Sequence, residues 1–157
     1  MKTQSLLLVL FLTLLLQNTF AQNDSSLRTK HFNLSKKGLA IEGYDPVAYF
    51  TKHKAVKGKS EYSFQYKGIT YMASSVENLA LLKDSPEKYE PQYGGWCAYA
   101  MGSNGEKVEI DPETFKIVNG RLFLFYNKFF NNTLNDWNKN EKVLNTNADK
   151  NWSKTFK

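Results

Sequence analysis

The single cysteine of the chain, Cys97, is the residue whose surroundings best suit chemistry, because it closely follows a glycine pair, Gly94 and Gly95. Adjacent glycines give the backbone conformations that other residues rarely adopt, and they let a ligand come close. A helix beginning just after Gly95 would put Cys97 in its first turn, where free amides and the helix dipole lower the pKa of a thiol. The thiolate would then be a nucleophile or a metal ligand.

The alternative for Cys97 is a place in the hydrophobic core. Free cysteine behaves as a small apolar residue and is among the most buried residue types. The six residues after Gly95 carry no charge, which also agrees with burial. We therefore favour the buried interpretation, and a reactive thiol remains the second hypothesis.

Catalysis or metal binding at Cys97 would need partner side chains brought close by folding. A cysteine nucleophile normally uses a histidine base, and the chain offers His31 and His53, both in predicted loops. A transition metal would need several thiolate or imidazole ligands, for which Cys97, His53 and Met101 are the candidates. The cofactor is therefore unknown from the sequence, and a transition metal is the candidate that these residues leave open.

Other patterns that mark chemistry are missing from the sequence. Asp45, Asp111 and Glu113 could supply oxygen ligands, but their spacing has no metal-site signature. The patterns Gly-x-Ser-x-Gly, Gly-x-Gly-x-x-Gly and Gly-x-x-x-x-Gly-Lys-Ser/Thr, which mark hydrolases, dinucleotide sites and phosphate loops, do not occur. The sequence therefore predicts no catalytic machinery and favours a binding protein over an enzyme.

Aromatic residues around the cysteine suggest a small-molecule pocket. Aromatic walls with a few polar groups are typical of such sites, although ordinary cores use the same residues. The aromatic candidates are Tyr44, Tyr49, Tyr93, Trp96 and Tyr99. The predicted binding residues are Tyr44, Asp45, Tyr93, Gly94, Gly95, Trp96, Cys97 and Tyr99.

Residues 1–21 have the three parts of a secretory signal peptide. Lys2 provides the positive start, residues 6–16 form the apolar run, and small residues lead to a cleavage site after Ala21. The apolar run is shorter than the roughly 20 residues that a membrane anchor needs. We therefore predict export to a periplasmic or extracellular location, with Gln22 as the first mature residue.

The composition suits one domain that does not bind nucleic acid. The chain of 157 residues has a formal net charge of +6, and its basic residues are spread along the sequence, which indicates a solvated surface. One cysteine excludes an internal disulfide, so packing must stabilise the fold. The expected partner is an unknown ligand or protein, and no transmembrane segment is predicted in the mature chain.

Two hairpins organise the predicted domain. Residues 61–73 alternate aromatic and polar side chains around a Lys67-Gly68 turn. Residues 114–125 surround an Asn119-Gly120 pair, which is the preferred type I′ turn. These patterns predict two antiparallel hairpins.

A helix is predicted after each hairpin. The first begins after an N-cap at Ser75 and ends before Pro86. The second covers residues 128–142, with Phe130, Leu134 and Trp137 on one face. Together these elements indicate a small α+β domain.

The start of the domain is less regular. Residues 22–38 are polar without periodicity, which predicts a flexible N-terminal segment. Residues 47–50 form a short apolar run that predicts a strand. The α+β domain, with its C-terminal helical extension, is then expected over residues 39–157.

Several separated blocks make the mature chain resemble the YHS domain family, in particular its exported members. The blocks are residues 43–50, 66–68, 85–89, 91–98 and 116–124. The resemblance implies a small α+β fold. In the wider family such domains occur beside metal-transporting ATPases and in oxygenase subunits, which suggests metal handling.

The chain departs from the family at the positions of its cysteines. Ala48 stands where the family has its first cysteine, Ala73 where another follows the strand, and Glu77 lies near the next. Residues 62–64 replace the Tyr-His-Ser triplet that names the family. Our leading hypothesis is therefore an exported YHS-like binding domain, and the alternative is a metal-handling or thiol-reactive protein centred on Cys97.

Overall fold

The computed structural model describes residues 24–156. The predicted signal peptide lies outside this range. The first described element is helix α1, residues 24–31, and Phe32 directly after it is buried in the core. The prediction of a flexible segment over residues 22–38 therefore does not hold for residues 24–38. Contacts with distant residues hold this part of the segment against the domain.

Helix α2 (Pro46–Thr51) replaces the strand predicted at residues 47–50. Asp45 is its N-cap and accepts hydrogen bonds from the backbone amides of Val47 and Ala48 at 2.8 and 3.3 Å. Pro46 at the first helical position has the backbone φ that a helix requires. This capping outweighs the β propensity of the apolar run.

The first predicted hairpin and its helix are confirmed. Strands β1 (Ser63–Tyr66) and β2 (Ile69–Met72) pair antiparallel around the Lys67-Gly68 turn. Helix α3 (Val76–Asp84) begins where the Ser75 hydroxyl accepts a hydrogen bond from the amide of Asn78. It ends before Pro86, which opens the short helix α4 (Pro86–Tyr89).

The second predicted hairpin is also confirmed. Strands β3 (Asp111–Val118) and β4 (Arg121–Phe125) pair antiparallel, with a register shift between Asp111 and Phe115. Asn119 and Gly120 both have positive φ, 52° and 73°, as a type I′ turn requires. Four consecutive residues of β4, 122–125, are buried, so this strand crosses the centre of the molecule.

The helix predicted over residues 128–142 is wrong at its start. Strands β5 (Asn127–Lys128) and β6 (Asn131–Asn132) form a third small hairpin that holds Phe130 at its tip. The Asn132 side chain accepts a hydrogen bond from the amide of Leu134 and so starts the helix α6 (Thr133–Lys139). A local cap therefore places the helix start after Phe130.

The C-terminal part consists of helices that pack on the segment around Cys97. Helix α5 (Ala98–Ser103) crosses α7 (Glu141–Ser153) so closely that a Cβ on Gly102 would lie 2.4 Å from the carbonyl oxygen of Leu144. Short 3-10 helices are found at Ile41–Gly43, Ser60–Tyr62, Gln92–Gly95 and Lys154–Phe156.

The core has two connected parts, one on each side of β4. Leu122 and Leu124 pack into the larger part, under the first hairpin and α2. Phe123 and Phe125 pack with the fully buried Trp137 in the smaller part, under α6 and α7. The arrangement confirms a small α+β domain with antiparallel hairpins. Within residues 24–156, none of the helices has the length and apolar character needed to cross a bilayer.

Candidate functional site

The glycine pair forms a tight turn that packs against aromatic rings. Tyr93 and Gly94 have left-handed φ values of 56° and 60° inside the 3-10 helix Gln92–Gly95. A Cβ on Gly94 would lie 2.8 Å from the Trp152 ring and 3.0 Å from the Phe32 ring. Close packing between this turn and two aromatic residues therefore explains Gly94.

Cys97 lies one residue before helix α5, at its N-cap position, and its side chain is fully buried. Its backbone amide donates to the carbonyl of Val108 at 3.0 Å. The helix therefore begins at Ala98, two residues later than the prediction of a start just after Gly95. The buried interpretation of Cys97 is confirmed.

The Cys97 thiol group both accepts and donates a hydrogen bond. It accepts from the backbone amide of Tyr126 at 3.4 Å, and it lies 3.4 Å from the Thr133 hydroxyl oxygen. The single hydroxyl proton of Thr133 is donated to the carbonyl of Tyr126 at 2.9 Å. The Cys97 thiol must therefore be the donor to Thr133, so the site fits a neutral S–H group.

A cavity of about 290 Å³ has Cys97 among its lining residues. We call it the Cys97 pocket, and it is lined by Cys97, Tyr99, Ala100, Ser103, Asn104, Val108, Tyr126, Asn131 and Thr133. Two tyrosines and the apolar side chains of Ala100 and Val108 form its walls. The lining residues include hydroxyl and amide groups but no charged side chain.

A second cavity, of about 280 Å³, is lined in part by the glycine turn. We call it the Tyr93 cleft, and it is lined by Arg28, Phe32, Glu87, Glu90, Pro91, Gln92, Tyr93, Gly94, Asp149, Trp152 and Ser153. The predicted contact residues are thus divided, because Tyr93 and Gly94 face this cleft while Cys97 and Tyr99 face the Cys97 pocket.

The charged groups of the Tyr93 cleft are paired with one another. Arg28 forms an ion pair with Glu90, which also accepts a hydrogen bond from the Tyr71 hydroxyl at 2.5 Å. Burial and the neighbouring carboxylate raise the pKa of Tyr71 far above its usual range. This network fastens α1 to the segment before the glycine turn.

The second ion pair of the cleft joins Arg121 to Asp149 at 2.5 Å. The Tyr93 hydroxyl lies 3.0 Å from carboxyl and amide oxygens of Asp149 and Asn145. The hydrogen bond to Asp149 raises the pKa of Arg121, and burial raises that of Tyr93. These contacts connect β4 and the glycine turn to α7. The ion pair and the Tyr93 hydroxyl therefore have a structural role.

Asp45 and Tyr44, two further predicted binding residues, lie elsewhere. Both carboxylate oxygens of the buried Asp45 are used, since one caps α2 and the other accepts from Ser74 and Asn78. Lys57 lies 3.8 Å from the centre of the half-buried Tyr44 ring. Asp45 thus joins α2 to α3, and its oxygens are occupied without a metal ion.

The other candidate partners of Cys97 do not line its pocket. His53 is exposed at a separate cavity that also contacts Glu113. Met101 is buried one helical turn away in the smaller core. Trp96 is half-buried, and its indole nitrogen donates to the carbonyl of His31 at 2.7 Å.

His31 lies on the outside of this region, next to a lysine. Its Nδ1 atom is 2.8 Å from the Lys107 ammonium nitrogen. Burial and the charge of Lys107 lower its pKa. Among residues 24–156, no group of three His, Cys, Asp or Glu side chains is arranged to hold a metal ion.

Several pocket residues were not predicted from the sequence. Val108, Tyr126, Asn131 and Thr133 belong to different elements, and folding brings them to Cys97. The sequence analysis also missed Phe129, at the tip of the β5–β6 hairpin. A signal for this tip was available, because Phe129 and Phe130 interrupt a polar run between Lys128 and Asn131.

Comparison of the chain with models of protein families, with curated proteins and with solved structures found no match in any of the three. The resemblance to YHS domains and the predicted export therefore stay predictions.

Proposed function

We propose that this protein is an exported, YHS-like binding domain that takes up a small uncharged ligand in the Cys97 pocket. The observation that carries the proposal is the lining of this pocket. Two tyrosine rings and aliphatic groups meet uncharged hydroxyl and amide groups in one cavity. Apolar walls with a few polar groups are the usual composition of small-molecule sites.

The volume and the charge of the pocket limit the ligand. A closed cavity of about 150 Å³ is enough to hold benzene, so the 290 Å³ here suffices for one substituted ring or a short aliphatic chain. A charged ligand would lose its hydration without gaining an opposite charge from the lining side chains, which is costly. The expected ligand class is therefore a neutral aromatic or aliphatic molecule with one hydroxyl or amide group.

The chemistry of Cys97 supports binding over catalysis. Its thiol is buried, donates to Thr133 and accepts from Tyr126. No histidine or carboxylate lines the pocket to remove its proton. The sulfur is then part of the packed core behind the pocket wall, a common role of buried cysteine.

Phenol and indole are suitable neutral probes, and benzoate is a charged one. Ligand-observed NMR should detect phenol and indole binding to the purified protein and much weaker binding of benzoate. The variant Ala100→Leu adds volume inside the pocket, so it should lose most of the binding. The matched control is Ala80→Leu, which adds the same volume on the exposed face of α3.

Two results would refute this use of the pocket. One is binding of phenol to Ala100→Leu with the same affinity as to the unsubstituted protein. The other is the absence of phenol and indole binding when circular dichroism shows a folded protein. Tyr99→Ala provides a second test, because it removes one aromatic wall and should also weaken binding.

Export can be tested independently of the ligand. Expression of the full chain in a secretion-competent bacterial host should give a processed protein outside the cytoplasm. Mass spectrometry should show Gln22 as its first residue, following cleavage after Ala21. An unprocessed protein retained in the cytoplasm would contradict export and leave the pocket proposal standing.

A further inference from the structure

Two segments of the chain have the same order of structural elements. Each begins with a short 3-10 helix that contains left-handed residues, and a six-residue helix, a hairpin and a further helix follow. In the first segment the six-residue helix is α2, the hairpin is β1–β2 and the last helix is α3. In the second they are α5, β3–β4 and α6. We call residues 39–82 the first unit and residues 91–137 the second unit.

A constant shift of 52 positions, the difference between 91 and 39, relates the two units from residue 39 to residue 74. Leu39 pairs with Thr70 in a parallel bridge, and Pro91 pairs with Leu122 in the same way. All four residue pairs of the β1–β2 hairpin have paired counterparts in β3–β4 at this shift. Helices α2 and α5 also begin and end at matching positions. The units therefore agree residue by residue.

The unusual backbone conformations coincide at the same shift. Residues 41–43 have φ values of 50°, 52° and 81°, and residues 93–95 have values of 56°, 60° and 84°. His53 and Gly105 also match, with φ values of 50° and 79°. Consecutive left-handed residues are rare, because only glycine takes this conformation without a steric cost. Their recurrence in both units indicates a common origin.

Cys97 occupies in the second unit the position that Asp45 occupies in the first. Each is the N-cap residue of its six-residue helix. One carboxylate oxygen of Asp45 accepts a hydrogen bond from the amide of Ser74 at 2.7 Å. At the same shift, the Cys97 sulfur accepts a hydrogen bond from the amide of Tyr126 at 3.4 Å. The thiol thus has the place of a helix-capping carboxylate.

The units differ in the connection between the hairpin and the helix that follows it. In the first unit, Asn78 donates to the capping carboxylate at 2.6 Å and lies four residues after Ser74. In the second unit, Thr133 is the side-chain partner of the thiol and lies seven residues after Tyr126. The second unit therefore has three additional residues here, and its connection forms the β5–β6 hairpin.

The helices after the two connections correspond again. Leu82 of α3 lies four residues after Asn78, and Trp137 of α6 lies four residues after Thr133; both are fully buried. The additional residues end in an exposed tip, where Phe129 is 88% exposed. Surface connections tolerate insertions because the core does not depend on them.

The place of the Cys97 pocket is closed in the first unit. Tyr99 and Ala100 line the pocket in the second unit. Their counterparts in the first unit, Val47 and Ala48, are fully buried. Residues on both sides of the tip, including Asn131, also line the pocket. The longer connection is therefore the difference that accompanies the open cavity.

We propose that the chain consists of two copies of one unit, the first structural and the second specialised for binding, and that insertion of residues 128–130 opened the Cys97 pocket. The role of the insertion in binding rests on the function proposed above, whereas the duplication does not. Few residues are identical at matching positions, so the repeat is much clearer in the backbone than in the sequence. The identical pairs are Gly43/Gly95, Ala48/Ala100, Val56/Val108, Glu61/Glu113 and Gly68/Gly120.

Deletion of residues 128–130 would give the second unit the connection length of the first. Asn127 would then follow Tyr126 as Ser75, the N-cap of α3, follows Ser74. Because the first unit forms its helix with this length, the variant should keep the native circular dichroism spectrum and unfold cooperatively in urea. It should lose most of its phenol binding in ligand-observed NMR, because the pocket closes.

The matched control changes the same three residues and keeps the length. Lys128→Ser/Phe129→Ser/Phe130→Ser should fold and bind phenol as the unsubstituted protein does. Loss of phenol binding in this control, or full binding in a folded deletion variant, would overturn the role of the insertion. A deletion variant that does not fold while the control folds would overturn the equivalence of the two units.

Cys97→Asp tests the equivalence at the helix cap. In the first unit a carboxylate at this position accepts from the backbone amides two and three residues later. An aspartate at position 97 should therefore cap α5 and leave the melting temperature close to that of the unsubstituted protein. The control Ala98→Asp places a carboxylate at the next position, which is fully buried, and should lower the melting temperature strongly. Equal losses in the two variants would contradict the equivalence.

The duplication and the proposed function can fail separately. If the unsubstituted protein binds no phenol, the small-ligand function fails, and the binding role of residues 128–130 fails with it. The duplication is then decided by the folding of the deletion variant and by the melting temperature of Cys97→Asp, since neither measurement uses a ligand.

Discussion

The backbone amide of Tyr126 donates a hydrogen bond to the sulfur of Cys97 at 3.4 Å. This contact joins the end of β4 to the start of α5 and leaves the thiol without solvent exposure. The neighbouring Thr133 oxygen accepts the thiol proton. The arrangement makes reactivity of Cys97 the most direct test between binding and thiol chemistry.

Cys97 should react with a maleimide about a hundredfold more slowly in the native protein than in denatured protein at neutral pH. Modification of a buried thiol requires local opening, and an opening free energy of about 3 kcal/mol corresponds to this factor. The rates can be followed by mass spectrometry. Equal rates would instead support the thiol-reactive or metal-handling alternative, which elemental analysis and added Cu²⁺ or Zn²⁺ would then examine.

Replacement of Asp45 should destabilise the fold without involving a ligand. Asp45→Ala removes the α2 cap and leaves the donors of Ser74 and Asn78 without their acceptor. We expect the free energy of unfolding in urea to fall by about 3 kcal/mol or more. The control Asp84→Ala changes an exposed residue at the end of α3 and should alter stability by less than about 0.5 kcal/mol.

A matched pair of alanine substitutions can separate crowding from backbone strain at Gly94. Gly38 and Gly94 both have positive φ, 74° and 60°, but only Gly94 has neighbours within 4 Å of an added Cβ. Gly38→Ala should lower stability by about 1 kcal/mol, and Gly94→Ala by a further 1–3 kcal/mol or so because it displaces Trp152 and Phe32. Thermal and urea unfolding measure both, and equal effects would contradict the packing role of Gly94.

Glu141 should contribute to the loss of stability at low pH. Hydrogen bonds from Lys116 and from the Trp137 indole lower its pKa in the folded protein. A lowered folded-state pKa gives stability above the unfolded pKa of about 4.3, and this stability is lost as the pH falls through the folded value.

The variant Glu141→Gln isolates this effect. Between about pH 5 and pH 3, the unsubstituted protein should lose more stability than Glu141→Gln, because glutamine cannot be protonated. Urea unfolding at each pH measures the difference. Glu106→Gln, on an exposed loop, is the control and should keep the original pH dependence; identical pH profiles for Glu141→Gln and the unsubstituted protein would rule out the contribution.

Local signals predicted much of the fold. The Asn119-Gly120 turn and the Ser75 cap act within a few residues, so the second hairpin and α3 follow from the sequence. At Asp45-Pro46, the cap and the helix-starting proline were also visible, but the apolar run after them was interpreted as a strand. That error came from giving β propensity more weight than capping.

The exposed tip of the β5–β6 hairpin, Phe129 and Phe130, could not be predicted from periodicity. Phe130, Leu134 and Trp137 have helical spacing, yet only the last two lie in α6. The Asn132 cap ends the hairpin and starts the helix between them. Spacing alone does not show where a helix begins.

The sequence by itself determined the hairpins, the α+β class and the presence of one unpaired thiol, because turn geometry, capping and cysteine number depend on neighbouring residues or on composition. Only the tertiary structure decided that Cys97 is buried between Tyr126 and Thr133, that Gly94 packs on Trp152, and that a pocket lies beside an exposed tip. These features arise from residues far apart in the chain, and their contacts depend on how the core packs around β4.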